Sequence, residues 1–390
     1  MSSPAGGGGP ADEPYAGPPP TLRPVPGRFP VPPWPQAPGP YPPAAWPSAP
    51  YPPAPWAPAP WAPGPAPSPP VPPAGWALPP GTPPHDEPTS FLHAMRSRDW
   101  AWWRPLLGLL LLGVVFLVAG ALLGVLGILT GISPDLALIE LTDPGTLLVT
   151  NATLAVGIPV VWLAWAVAHG MRPGWSSSVL ARFRWRLLPR LTVLALLSIG
   201  VVIGLSVLVA VTAGEVEVTG PVPSWGWLLA VVLLTTPLQS AAEEYLFRGY
   251  LSQAIAGWIR APRTGAVVAA VVTGALFSLA HLPPDLATFL DRFAFALAAS
   301  AVVWLTGGIE AAVVLHAVNN VVLFLLVALL GDAVTTDVVP AGLAPVSLAL
   351  TAAGFGGFVL LVARWRRSAR PELRTPALDL RPPPGPAPAR

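Results

Sequence analysis

The sequence predicts an all-α fold: a polytopic membrane bundle of about eight transmembrane helices, preceded by a disordered, proline-rich N-terminal tail. Three observations predict it. Of 390 residues, 53% are hydrophobic and only 10% are charged, too apolar for a soluble domain and too long for a single helical hairpin. Eight apolar runs of about 18 residues or more each reach about 27 Å or more at about 1.5 Å per residue, the length of a membrane span. The 56 prolines concentrate toward the two ends of the chain, where no apolar periodicity accompanies them.

Residues 1–90 are dominated by Pro, Ala and Gly, with recurring units such as Tyr41-Pro-Pro-Ala-Ala-Trp46 and Tyr51-Pro-Pro-Ala-Pro-Trp56. Proline fixes its backbone dihedral and removes a donor, so this stretch reads as a disordered cytoplasmic tail with polyproline II character. It serves as a spacer or as the docking site for a proline-binding partner; no secretory signal is visible in it. Residues 91–104 form a basic, aromatic juxtamembrane segment containing Arg96, Arg98, Trp100, Trp102, Trp103 and Arg104, as a chain has where it enters a bilayer.

The membrane domain is expected over residues 105–363. Its spans fall at about 105–130, 146–168, 191–213, 225–259, 264–281, 289–306, 311–330 and 343–363, and the fourth is longer than a bilayer requires. Residues 364–390 form a second tail, basic and then proline-rich. Arginines fill alternate loops: Arg172, Arg182, Arg184, Arg186 and Arg190, then Arg260 and Arg263, then Arg364, Arg366 and Arg367. The opposite loops carry Asp135, Glu140 and Asp143, Glu215 and Glu217, Asp285 and Asp291, and Asp332 and Asp337, with Arg292 as the exception. By the positive-inside rule both termini are cytoplasmic.

Composition also excludes. Cysteine is absent, which removes disulfides, thiolate nucleophiles and thiolate metal sites. All 21 basic side chains are arginine; with the heavy use of Ala, Gly and Pro this points to a GC-rich, bacterial coding sequence. A net charge of +2 argues for no nucleic-acid partner. The partners to expect are the lipid bilayer and a membrane-embedded or lipidated peptide.

Inside span four, the run Ala241-Ala-Glu243-Glu244-Tyr-Leu-Phe-Arg248-Gly249 places three charges where charge is costly. Intramembrane ionisable clusters mark functional sites by default. Glu244 and Arg248 are four apart, acid first, the favourable order for a helical ion pair. Glu243 lies about 100° around the helix and is left unpaired, the position of a general base. Two of the five histidines also fall in apolar segments, in Phe277-Ser-Leu-Ala-His281 and His316-Ala-Val-Asn319-Asn320. His316 and Asn320 share one helical face, whereas Asn319 points elsewhere and reads as a packing amide.

These three motifs in order, Glu243-Glu244-x-x-x-Arg248, Phe277-x-x-x-His281 and His316-x-x-x-Asn320, resemble those of the CPBP intramembrane proteases, also called Abi, the family of CAAX proteases and bacteriocin-processing enzymes. The resemblance covers about residues 225–330. It implies an intramembrane endopeptidase in which Glu243 activates water with help from His281. His316 and Asn320 would then stabilise the oxyanion, while Glu244 and Arg248 hold the geometry. Peptide hydrolysis needs these three capacities: a base, an oxyanion partner and a proton donor.

A serine mechanism is disfavoured, since Ser278 lies on the wrong turn for His281. A metal-free mechanism without cofactor is favoured. A zinc-dependent variant would use Glu243, His281 and His316, although the helical His-Glu-x-x-His arrangement is missing. Two other classes compete: a proton-coupled transporter, for which no repeat symmetry is visible, and a non-catalytic immunity or scaffold protein. Finally, Glu243 and His281 are each 19 positions from Pro262, so spans four and five should form an antiparallel hairpin with both residues at one depth.

Overall fold

A computed structural model describes residues 82–134, 142–331, 342 and 344–377. The expectations for residues 1–81, for the loop acids Asp135, Glu140, Asp332 and Asp337, and for residues 378–390 lie outside them. Among the described residues, eight helices are long and apolar enough to cross a membrane: α1 Arg104–Leu129, α2 Pro144–His169, α3 Trp185–Thr212, α4 Trp225–Trp258, α5 Pro262–Ala280, α6 Leu286–Thr306, α7 Glu310–Leu330 and α8 Ala344–Ala369. No sheet occurs among them. The chain is an all-α, multi-pass membrane protein.

Local chemistry sets the ends of these helices. Asp143 caps α2 by accepting from the Thr146 amide at 2.7 Å, and Asp285 caps α6 by accepting from the Thr288 amide at 2.8 Å. Each satisfies an amide that the first turn leaves without a partner. Pro262 opens α5, where its missing N–H costs nothing. At the end of α6, Gly307 adopts φ +71°, a left-handed turn that glycine enters without strain. α8 runs about one and a half turns past its expected end at about residue 363. Arginine is a good helix former, and the Arg366 side chain bonds the Leu305 carbonyl at 3.3 Å.

α4 is packed chiefly against α7 and α2, α5 against α6 and the last part of α4, and α8 against α6. Two irregularities interrupt α4. Pro237 lies inside it, and residues Phe247–Leu251 form a π turn. Such single turns widen the helix and recur at functional sites. The α2–α3 connection is tied to the start of α7 by Arg184, which is buried and grips the buried Glu310 carboxylate through Nε and Nη2, both at 2.8 Å.

The described ends of both tails, and the juxtamembrane segment between the first tail and α1, are packed. His85 donates to the Ala94 carbonyl at 2.8 Å, and His93 donates to the Ile259 carbonyl at 3.0 Å. Phe91, Leu92, Ala94 and Met95 are buried in the main core. After α8, the Thr375 amide donates to the Thr89 carbonyl at 2.9 Å and its Oγ1 accepts from the Thr89 amide at 3.1 Å. Composition averaged over a long window hid the few apolar and hydrogen-bonding residues that hold these segments down.

Candidate active site

Helix phase selects which side chains of α4 meet. Gln239 and Glu243 are one turn apart on a single face, and Glu244 stands about 100° round from Glu243. Glu244 and Arg248 are both fully buried, with Arg248 Nη1 2.9 Å from Glu244 Oε1. The guanidinium sits 5.0 Å from the ring of Phe277, near those of Phe247 and Phe295, and donates from Nη2 to the Ala296 carbonyl at 3.1 Å. An apolar, aromatic enclosure of this kind leaves a charge nowhere to go except onto its partner. α7 supplies a second contact to the same carboxylate: His316 Nδ1 donates to Glu244 Oε1 at 2.9 Å.

Glu243 takes the other direction. Its Oε1 accepts a hydrogen bond from Gln239 Nε2. Its Oε2 is buried without a hydrogen-bond partner among the described residues, and lies 3.8 Å from His281 Nε2 and 3.8 Å from His316 Nε2. His281 occupies the C-terminal end of α5, where Nδ1 donates to the Phe277 carbonyl at 2.7 Å. A carbonyl only accepts, so this bond fixes the tautomer and leaves the neutral ring's Nε2 as an acceptor facing Glu243. Two acceptors 3.8 Å apart accommodate a proton-bearing oxygen between them. Glu243 and His281 meet as the equal-armed hairpin about Pro262 requires.

The six residues marked by the sequence are thus brought together. Asn320 joins through Gln239, donating from Nδ2 to Gln239 Oε1 at 3.3 Å. Asn319, the next residue, donates from Nδ2 to Asn320 Oδ1 at 3.2 Å. This bond to its chain neighbour is compatible with the packing role that helix phase gives Asn319. The sequence reading missed Gln239, whose signal was a polar side chain one turn before Glu243 in an apolar helix. Ser278 Oγ donates to the Phe289 carbonyl at 2.8 Å, away from His281. Arg292, the exception in the charge pattern, bonds the His281 carbonyl at 3.2 Å.

The cluster opens at one edge. His281 exposes 34% of its side chain against 12% for Glu243 and 4% for His316, so the approach lies on the His281 side. The rim there exposes Leu279, Leu282 and Leu286 beside the charged Asp285 and Arg292. Leu282 turns the chain with φ +47°, an uncommon conformation for a non-glycine residue.

The donor types suit zinc, and each imidazole has its Nδ1 engaged by an oxygen as a zinc-bound histidine does. As placed, the donors are spread slightly wider than a zinc shell. Ligands about 2.0–2.1 Å from zinc stand roughly 3.3 Å apart in a tetrahedron, closer than the 3.8 Å from Glu243 Oε2 to either Nε2. Among the described residues no group of three His, Asp or Glu side chains has the geometry to hold an ion.

Residues 225–322 match the family model described as type II CAAX prenyl endopeptidase Rce1-like. The similarity is confined to this segment, about a quarter of the chain. The segment contains all six marked residues and agrees with the CPBP resemblance carried by their motifs. The uncharacterized protein YyaK of Bacillus subtilis (strain 168) is 32% identical over 103 residues, which cover 25% of this chain and 33% of YyaK. The chain therefore matches about a third of that curated relative's length. No solved structure matches the chain. The Rce1-like segment holds α4 to α6 and the site-bearing part of α7, and α8 completes the core around it through Phe355 and Phe358.

Proposed function

We propose that the protein is an intramembrane endopeptidase that hydrolyses a peptide bond by glutamate-activated water. One observation carries this reading: the buried, unpartnered Glu243 Oε2, facing the Nε2 atoms of two histidines at 3.8 Å each. A water between Glu243 Oε2 and His281 Nε2 can donate to both acceptors and turn its lone pair toward a carbonyl carbon. Glu243 takes one proton as the C–O bond forms and returns it to the amine nitrogen as the C–N bond breaks. The developing oxyanion faces the Asn320 amide, which has a second N–H beyond the one given to Gln239, and His316, which offers Nε2–H when it carries both ring protons. Glu244 and Arg248 hold His316 and α4 in place.

The exposed leucines beside His281, at the end of a helix that crosses the membrane, support a membrane-embedded or lipid-anchored peptide as substrate. The arginine-rich loops support a placement of both termini in the cytoplasm. The decisive experiment is cleavage of a membrane-peptide library by purified protein in lipid, with and without a chelator. Cleavage that survives chelation and is lost in Glu243→Gln supports the reading. Cleavage abolished by chelator and restored by zinc would favour the metal variant, and its absence in every lipid composition would favour a non-catalytic scaffold.

A further inference from the structure

Gln239 is 7% exposed, and both ends of its amide are committed. Nε2 donates to Glu243 Oε1, while Oε1 accepts from Asn320 Nδ2 at 3.3 Å and from Ser240 Oγ at 3.2 Å. Only this orientation satisfies the group. A rotated amide would set oxygen against the Glu243 carboxylate and nitrogen against the Asn320 nitrogen.

We infer that Gln239 is a positioning residue: it engages Glu243 Oε1 so that Oε2 is the oxygen presented to the two histidines, and it orients the Asn320 amide across the same site. The inference rests on the protease reading for its kinetic consequence, and on geometry alone for the contact. A carboxylate attached through a flexible stem has two equivalent oxygens, and one donor placed on one of them makes them inequivalent. Because the acceptor side of the same amide holds Asn320, the base on α4 and the oxyanion donor on α7 are set in one register. Catalytic groups need placement to within a fraction of an ångström, which neighbouring hydrogen bonds supply.

The contact is tested by NMR and the consequence by kinetics. The chain has three glutamines, Gln36, Gln239 and Gln253, so glutamine side-chain amides labelled with nitrogen-15 in the full-length protein in nanodiscs give few signals. The Gln239 signal is assigned by its loss in Gln239→Leu. It should move in both Glu243→Ala and Asn320→Ala, each of which removes one partner of the Gln239 amide, while that of Gln253, bonded to the Trp175 carbonyl at 3.0 Å, stays in place. A Gln239 signal unmoved in both variants overturns the inference.

In the library assay, Gln239→Leu should lower kcat by about tenfold or more with KM changed by less than about threefold. Gln239→Asn, which keeps the amide but cannot reach, should behave alike with unaltered thermal unfolding. Wild-type kcat in Gln239→Asn overturns the positioning role. A wild-type protein that cleaves nothing defeats the protease reading, and the NMR result then decides the contact by itself.

Discussion

Arg248 and Glu244 form a fully enclosed ion pair, 2.9 Å from Nη1 to Oε1, with no exposure of either side chain. Removing either partner strands the other charge among the rings of Phe247, Phe277 and Phe295. Arg248→Gln and Glu244→Gln should each destabilise the bundle by about 3–5 kcal/mol. Thermal unfolding in one detergent reports it, and a shift no larger than that of Glu243→Gln would contradict the pairing.

Glu243→Gln should separate chemistry from stability. The amide preserves shape and still accepts from Gln239, so unfolding should change by only about 1 kcal/mol. It cannot take a proton from water, and kcat should fall by about 10²-fold or more. Equal turnover by variant and wild type removes Glu243 from the mechanism.

Asn320→Ala should cost about 10²–10³-fold in kcat, the scale of one lost oxyanion donor. Substrate affinity should change little, because the bond strengthens only as the oxygen becomes charged. A loss confined to KM would make Asn320 a binding residue.

Close packing of α1 on α4 yields a test far from the site. A Cβ added at Gly108 would lie 1.6 Å from the Tyr250 hydroxyl, which is bonded to His169 Nε2 at 3.0 Å. Gly108→Ala should therefore destabilise by about 1–3 kcal/mol. An unchanged melting temperature would mean that α1 sits further from α4 than described.

The packed N-terminal segment should respond to pH. Burial holds His85 and His93 below the usual imidazole value; the cations Arg98 at His85, and Arg96 and Arg374 at His93, act in the same direction, while the carbonyl contacts and Asp86 oppose. A depressed histidine binds its proton more readily in the unfolded chain. It therefore costs nothing above the ordinary value of about 6.5 and destabilises as pH falls below it. Amide protection factors over residues 82–103, corrected for the slower intrinsic exchange at lower pH, should fall at pH of about 5.5 relative to 7.5, and equal protection at the two values would show that these histidines take up a proton as readily in the folded chain as in the unfolded one.

The sequence by itself determined the eight apolar helices, because span length and hydropathy are local properties of the chain. It also determined the depth at which Glu243 meets His281, because equal arm lengths about Pro262 require it. Helical spacing of four made the Glu244–Arg248 pair and the His316–Asn320 face legible. Only the tertiary structure decided which groups join helices distant in sequence. His316 on Glu244, Asn320 on Gln239 and Arg184 on Glu310 link residues 72, 81 and 126 positions apart, and no periodicity encodes such pairs. The same holds for residues 82–95, whose few apolar side chains are held by surfaces that other helices provide. A buried polar group must find a partner somewhere, but which partner it finds depends on how the helices pack.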